Sequence, residues 1–263
     1  MAIRKFGGAL LFLLVSLVSS VACAQAVTES LLIYCGITMV RPITEIARNF
    51  EQRHNVKITI AQGGSEDLFQ SAKRSGVGDL YLPGKPDYRD RHLAEGLFDQ
   101  PVLVGYNQMA LVVQKGNPRK VRGDLRELLR KDLLVMVGSP DNGSIGNETQ
   151  VLLEKIGIYN QVVTRAVGVV PDSRALTQAM KRNEADVVLN WRATAYFPEN
   201  ATVLEAIDLD RQVALPQALL LIRLKLSKAP ELASRFMDYA ASADGQTVFR
   251  KYGFLDNRLQ SIR

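Results

Sequence analysis

The chain has 263 residues, a formal net charge of +6 at pH 7 and 47% hydrophobic residues. This length suits one large domain or two modest lobes, each with a core of its own. Its lysines and arginines are scattered along the sequence and form no basic stripe, which argues against nucleic-acid binding.

The first 26 residues have the pattern of a secretory signal peptide. Two basic residues at positions 4–5 precede an apolar run at residues 9–18, which is too short to span a bilayer. Small residues with two A-x-A sites follow at residues 22–26. We therefore expect export to the periplasm and a mature charge of +4, because two of the six net positive charges lie in the signal.

Both cysteines bear on processing and redox state. The segment SVAC at residues 20–23 also resembles a lipobox, so lipid anchoring at Cys23 is the alternative to ordinary cleavage. Ser20 stands where a lipobox prefers leucine, and we favour cleavage. Either way Cys35 is the only thiol left within the folded chain, and one cysteine cannot form an internal disulfide.

Strand-like and helix-like runs then alternate along the chain. The strand-like runs are residues 30–34, 56–60, 80–82, 133–137, 162–170 and 187–189. The helix-like runs are residues 43–50, 68–74, 148–155, 175–182 and 231–241. Pro42 suits the first turn of the first helix. This alternation predicts an α/β fold with mainly parallel sheets flanked by helices.

Two extended runs, at residues 102–114 and 213–224, are longer than an ordinary strand. Each could begin in one lobe and end in another. We therefore predict two lobes, the first made of residues 27–107 and 218–263 and the second of residues 108–217. A cleft between lobes joined in this way can close on a ligand.

Glycine or hydroxyl turns precede four of the predicted helices. They contain Thr38, Gly63-Gly64-Ser65, Gly143-Ser144-Ile145-Gly146 and Asp172-Ser173-Arg174. Free N–H groups and the helix dipole make such termini anion sites, and in open α/β sheets these turns meet where ligands bind. The alternative is that Ser65, Ser144 and Asp172 only cap their helices. Four turns in the same context favour a binding site.

Four segments carry a resemblance to a known family. They are YCGITMVRPITEIARNFEQRHNVKITIAQGGS at residues 34–65, GDLYLP at 78–83, NEADVVLNWRATA at 183–195 and GQTVFRKYGF at 245–254. Together they resemble the class II periplasmic solute-binding proteins, and within that class the molybdate-binding group. The resemblance covers nearly the whole mature chain, although GQTVFRKYGF is typical of the broad class and not of any one ligand.

The resemblance implies a ligand site made of neutral donors from both lobes. The residues that match the group's binding positions are Thr38, Ser65, Ser144, Ile145, Gly146, Ser173, Arg174 and Trp191. Trp191 stands where the group has a tyrosine. Arg174 and Arg192 would add formal charge that the group's sites lack. Fold and ligand class therefore carry over better than ligand identity.

Nothing in the sequence forms a convincing catalytic or metal centre. A nucleophilic Cys35 would need a base, and the only histidines, His54 and His92, stand in polar, loop-like stretches. Two histidines make a zinc site improbable. A pair of adjacent tyrosines would favour ferric-ion binding, but the sequence contains no Tyr-Tyr pair. Asp67, Asp79 and Asp172 could still act as metal ligands. We interpret Asp79 as an anchor at the end of a strand.

Asp172 decides which kind of anion would fit the site. A site selective for phosphate profits from a buried carboxylate that accepts its proton, whereas a carboxylate repels molybdate, tungstate and sulfate. We interpret Asp172 as a helix cap, and hence the ligand as an unprotonated dianion.

The sequence thus predicts a monomeric binding protein, with no enzymatic activity and no cofactor, that captures a small oxyanion for the permease of an ABC importer. The alternatives are a periplasmic sensor that partners a membrane signalling protein, a site for phosphate or sulfate, and a secreted enzyme.

Overall fold

In the computed structural model of the protein, the described residues are Ala2, 29–141 and 143–260. The predicted signal peptide and Cys23 lie outside them. The strands are β1 (Ser30–Gly36), β2 (Lys57–Gly63), β3 (Leu80–Leu82), β4 (Phe98–Asn107), β5 (Met109–Gln114), β6 (Val135–Gly138), β7 (Gly168–Val170), β8 (Val187–Trp191), β9 (Leu204–Asp208) and β10 (Gln217–Leu224). The α-helices are α1 (Val40–His54), α2 (Ser65–Ser75), α3 (Asp87–Asp90), α4 (Ser144–Lys155), α5 (Tyr159–Arg165), α6 (Ser173–Lys181), α7 (Pro230–Ala241) and α8 (Ala243–Lys251).

The strands form two five-stranded sheets, ordered β2-β1-β3-β10-β4 and β7-β6-β8-β5-β9. We call the first sheet with its helices lobe 1 and the second lobe 2. In lobe 1, β1 pairs in parallel with β2 and β3, and in lobe 2, β6 pairs in parallel with β7 and β8. The remaining pairs are antiparallel, so each sheet is mixed, with a parallel part at the strands that precede the predicted ligand turns. The expected α/β fold with two lobes is confirmed, but the sheets are mixed and not mainly parallel, because β5 and β10 run antiparallel to both of their neighbours.

The chain changes sheet at Gln108, which separates β4 of lobe 1 from β5 of lobe 2. It returns between β9 and β10, and the first residue of β10, Gln217, lies opposite Asn107 at the end of β4. Two extended connections therefore lie side by side between the lobes, and we propose the lobe boundaries at these points.

The first helix forms for the reasons read from its sequence. Pro42, Ile43, Ile46, Ala47 and Phe50 are buried against lobe 1. The spacing of these residues places their side chains on one face of the helix. At the end of α1, Asn55 takes a left-handed conformation with φ of 51°, and its N–H donates to the Glu51 carbonyl.

One predicted strand was wrong over most of its length. Residues 162–170 read as strand because they are rich in valine, but residues 159–165 form α5 and only residues 168–170 form β7. Val162 is fully buried from its helical position, in the core of lobe 2. Tertiary packing of this side chain outweighs the β preference of valine, which depends strongly on context.

Asp79 anchors the start of β3, the central strand of the lobe 1 sheet, which agrees with its interpretation as an anchor at the end of a strand. Its carboxylate accepts the N–H of Leu32 at 2.7 Å and the hydroxyl of Ser227 at 2.6 Å. Across the described part of the chain, no helix combines the length and the apolar character needed to cross a membrane.

Candidate functional site

Six of the sequence-predicted site residues line one small cavity between the lobes, which we call the cradle. They are Thr38, Ser65, Ser144, Ile145, Ser173 and Trp191. The cradle has a volume of about 20 Å³. That space holds little more than one water molecule, so the lobes are closed on each other here.

Four helices begin at the cradle, two from each lobe. α1 follows a 3-10 turn at Ile37–Met39, and α2, α4 and α6 begin with the serines named above. The positive dipole ends of these helices lie around one enclosed place. Such an arrangement favours negative charge there.

The helix starts separate the two interpretations of the serines. Ser65 and Ser144 are the first residues of α2 and α4, and the capping positions belong to Gly64 and Gly143, which carry no side chain. The interpretation of these serines as ordinary N-caps is therefore wrong. Because no side chain of the described residues caps α2 or α4, the first N–H groups of both helices remain for a ligand or for water.

Asp172 differs from these serines, as predicted. Its Oδ1 accepts the N–H of Ala175 at 2.8 Å, so this carboxylate caps α6. Asp172 nevertheless lines the cradle.

The two lobes touch at the cradle through small polar side chains. Thr38 Oγ1 lies 3.4 Å from Ser173 Oγ, across the cleft. On the lobe 1 side, Ser65 Oγ accepts the N–H of Gly84 at 3.0 Å. A Cβ atom placed on Gly84 would lie 2.9 Å from the Cβ of Ser144 in lobe 2. The absence of a side chain at Gly84 thus allows the observed closure.

Trp191 is part of the core of lobe 2 and also forms part of the wall of the cradle. The side chain has no exposed surface and packs in the core of lobe 2, yet it also lines the cradle. It ends β8, and its backbone N–H donates to the side chain of Asn190 at 2.8 Å.

Two predicted site residues do not line the cradle. Gly146 packs α4 against the end of β6, where a Cβ would overlap the carbonyl oxygen of Ser139. Arg174 is exposed and donates from Nη2 to Gln62 Oε1 in lobe 1 at 2.7 Å. It lines a neighbouring, larger cavity.

Arg192, which could have added charge to the site, points elsewhere. It bonds to Asp208, to the Gly253 carbonyl and to Tyr196. The cradle therefore receives no guanidinium from this position.

Cys35 lies in β1 with no exposed surface, inside the core of lobe 1. Burial raises the pKa of its thiol well above the ordinary value. It does not line the cradle. We find no group of three or more histidine, cysteine or carboxylate side chains placed to hold a metal ion among residues 29–141 and 143–260.

Sequence reasoning missed four of the residues that line the cradle. The missed residues are Gly36, Ile37, Met39 and Gly84. The signal for Gly84 was Pro83-Gly84, a turn dipeptide directly after β3, at the same sheet edge as the other turns.

Comparisons with known proteins agree with this architecture. The family model described as "Bacterial extracellular solute-binding protein" matches residues 31–255. The molybdate-binding protein ModA of Mycobacterium tuberculosis (strain ATCC 25618 / H37Rv) is 22% identical over 228 residues, which cover 86% of this chain and 84% of the relative. Two solved structures superpose with a TM-score of 0.75 at 18% identity. The sulfate-binding protein SubI of Mycobacterium tuberculosis H37Rv is matched over 87% of each chain, and a periplasmic thiamin-binding protein over 90% of this chain and 85% of its own.

Proposed function

We propose that this chain, which belongs to the family of bacterial extracellular solute-binding proteins, captures a small tetrahedral oxyanion in the periplasm and presents it to the permease of an ABC importer. Molybdate and tungstate are the leading candidates, with sulfate and phosphate as alternatives. One observation carries the proposal: four helices from two lobes begin at one enclosed cavity, and within residues 29–141 and 143–260 no side chain caps α2 or α4.

The mechanism is binding without covalent chemistry. In the open form, water solvates the N–H groups at the helix starts. An anion replaces that water, and closure surrounds it with hydroxyl groups and amides from both lobes. Because an unpaired buried charge is costly, closure stabilises the complex only when the donors satisfy the anion oxygens.

The size of the cradle adds a condition. A tetrahedral anion occupies more than the roughly single-water space that the fully closed lobes leave. The Thr38–Ser173 and Gly84–Ser144 contacts must therefore part slightly to admit it. Anion binding then replaces these direct contacts between the lobes with contacts through the ligand.

The donors also bear on the choice of anion. Asp172 already uses Oδ1 to cap α6. An anion that keeps a proton would need an acceptor, and the rest of the cradle consists mainly of N–H groups, hydroxyls and apolar side chains. This composition favours a dianion without a proton over phosphate.

Calorimetry near neutral pH tests the proposal, with molybdate, tungstate, sulfate and phosphate compared on the native protein and on Ser65→Ala and Ser144→Ala. We expect an unprotonated dianion to bind most tightly. Each alanine variant should weaken it by about tenfold, the order expected for one hydrogen bond to a charge.

Ser71→Ala is the matched control, because Ser71 lies on α2 but bonds only to the Asp67 carbonyl. It should bind like the native protein. The proposal fails if no oxyanion binds. The choice of anion fails if the native protein prefers phosphate and the Asp172→Asn variant loses that preference.

A further inference from the structure

A second cavity, which we call the vestibule, adjoins the cradle. Its volume is about 450 Å³, far more than that of the cradle. Its charged lining residues are Arg41, Arg174, Lys181 and Glu199. A single inorganic anion in the cradle would leave this space to solvent.

The vestibule and the cradle share a wall. Ile37, Thr38 and Ser173 line both cavities. The Thr38–Ser173 hydroxyl contact thus stands between them, and it is one of the contacts that must part when an anion enters. A substituent on the anion could then pass from the cradle into the vestibule without crossing either core.

The charge of the vestibule is unbalanced. Three of its lining residues are cationic and one is anionic, which leaves a net charge of +2. Arg41 forms an ion pair with Glu199 and lies over the Phe197 ring, 5.1 Å from its centroid.

The other two cations bond only to neutral oxygens among the described residues. Arg174 donates to the amide oxygen of Gln62. Lys181 Nζ lies 3.2 Å from the Glu199 carbonyl and 3.3 Å from Asn200 Oδ1. Arg174 is in the first turn of α6, beside the cradle, and Lys181 is the last residue of that helix. A second anionic group that enters the vestibule would therefore face two cations that lack a carboxylate partner among the described residues.

We propose that the vestibule is the second half of the ligand site, and that besides an inorganic dianion the protein takes a phosphate monoester whose organic part carries a carboxylate. The phosphoryl group occupies the cradle, and the carboxylate enters the vestibule on the side of Arg174, with Lys181 as a second cation further along α6. This inference rests on the proposed oxyanion function and specifies its ligand class.

A phosphate monoester also suits the cradle because the cradle favours an anion that carries no proton. Its second pKa lies near 6, so its phosphoryl group is largely a proton-free dianion at mildly alkaline pH. Inorganic phosphate keeps at least one proton throughout this range. The ester oxygen stands where that proton would be and leads toward the vestibule.

The test compares two esters of similar size by calorimetry at pH 8. Phosphoglycolate carries the carboxylate, and 2-hydroxyethyl phosphate carries a neutral hydroxyl in its place. We expect phosphoglycolate to bind about tenfold more tightly, the gain typical of a charge-assisted contact. In the variant Arg174→Gln/Lys181→Gln this ratio should fall close to one.

Lys57→Gln controls for the loss of charge, because Lys57 is exposed at the opposite end of β2 from the cradle. It should keep the tenfold ratio. Equal binding of the two esters, or a ratio that survives the double variant, overturns the proposed role of the vestibule. Molybdate binding is measured in parallel. If molybdate binds and neither ester displaces it, only the vestibule inference fails. If no anion binds, the proposed oxyanion function fails as well.

Discussion

Lys85 Nζ lies 3.0 Å from Glu148 Oε2, and this ion pair joins the two lobes. Lys85 follows β3 in lobe 1 and is 2% exposed, and Glu148 is on α4 in lobe 2 and is 4% exposed. Gln217, at the start of β10, donates to the other carboxylate oxygen of Glu148 at 3.1 Å. The pair is buried between closed lobes, so we expect it to become hydrated when they open.

This ion pair should set the balance between open and closed forms. Glu148→Gln leaves Lys85 buried with only Asp87, 2.8 Å away, as a charged partner. A buried charge without its partner is costly, so the closed form loses stability and anion affinity should fall by about tenfold or more. Small-angle scattering should show a more open molecule.

Two controls accompany Glu148→Gln. Arg53→Gln breaks the exposed Arg53–Asp244 pair within lobe 1 and should leave affinity unchanged. The apolar double replacement Lys85→Met/Glu148→Leu should restore closure, because a buried pair can be replaced by packed side chains at little cost. Native affinity in Glu148→Gln would contradict a role for the pair in closure.

Gly84→Ala should hold the lobes apart. The added Cβ meets Ser144 only when the lobes are closed, so anion affinity should fall while the melting temperature of the ligand-free protein changes little. Calorimetry and a thermal melt measure the two effects. Gly168→Ala, where only the flexible end of Met136 comes close, at 3.2 Å, is the matched control and should bind normally.

Trp191 should report on the cradle through its fluorescence, because it is the only tryptophan. We expect its emission to change on anion binding. Trp191→Ala should lose stability as well as affinity, with about 3–5 kcal/mol lost from the free energy of unfolding, since the indole is also part of the core of lobe 2. Denaturant unfolding of this variant tests the core role, and unchanged emission in the native protein on saturation with anion would contradict the wall role.

Cys35 should be inert in the native protein. Its raised pKa and complete burial keep it as an unreactive thiol. A thiol reagent should therefore modify it only after denaturation, both with and without anion. Cys35→Ala should retain anion affinity. Rapid labelling of the folded protein would show that β1 opens in solution.

Acid should destabilise lobe 1 through Asp256. Burial alone would raise the pKa of this carboxyl, but the N–H groups of Gln260 and Arg258 and the guanidinium of Arg250 outweigh it and hold the pKa below its ordinary value. Its contribution to stability is therefore complete above the ordinary carboxyl pKa, near pH 4, and is lost as pH falls through the lower folded-state value.

Thermal melts between pH 7 and pH 2 check this expectation. Asp256→Asn should melt at a lower temperature at pH 7 and should show a smaller further loss on acidification. Asp238→Asn, at an exposed position of α7 in the same lobe, is the charge-matched control and should follow the native curve. Parallel native and Asp256→Asn curves would contradict the assignment.

The sequence by itself determined the repeated strand–turn–helix units and the residues at their turns. Ser65, Ser144 and Ser173 were found because a glycine or a capping side chain next to a helix start acts within a few residues. The apolar spacing of α1 and the cap at Asp172 were read correctly for the same reason. Residues 162–167 were misread because the β preference of valine depends on context, and here tertiary packing decides the local structure.

The tertiary structure alone decided which distant residues meet. Thr38 and Ser173 are 135 positions apart, and Lys85 and Glu148 are 63 apart. No local pattern encodes such pairs, because their contact depends on how the two lobes close about the connections at Gln108 and Gln217. The cradle, its size and the charged vestibule beside it exist only in that closed arrangement, in which helix starts from both lobes face each other.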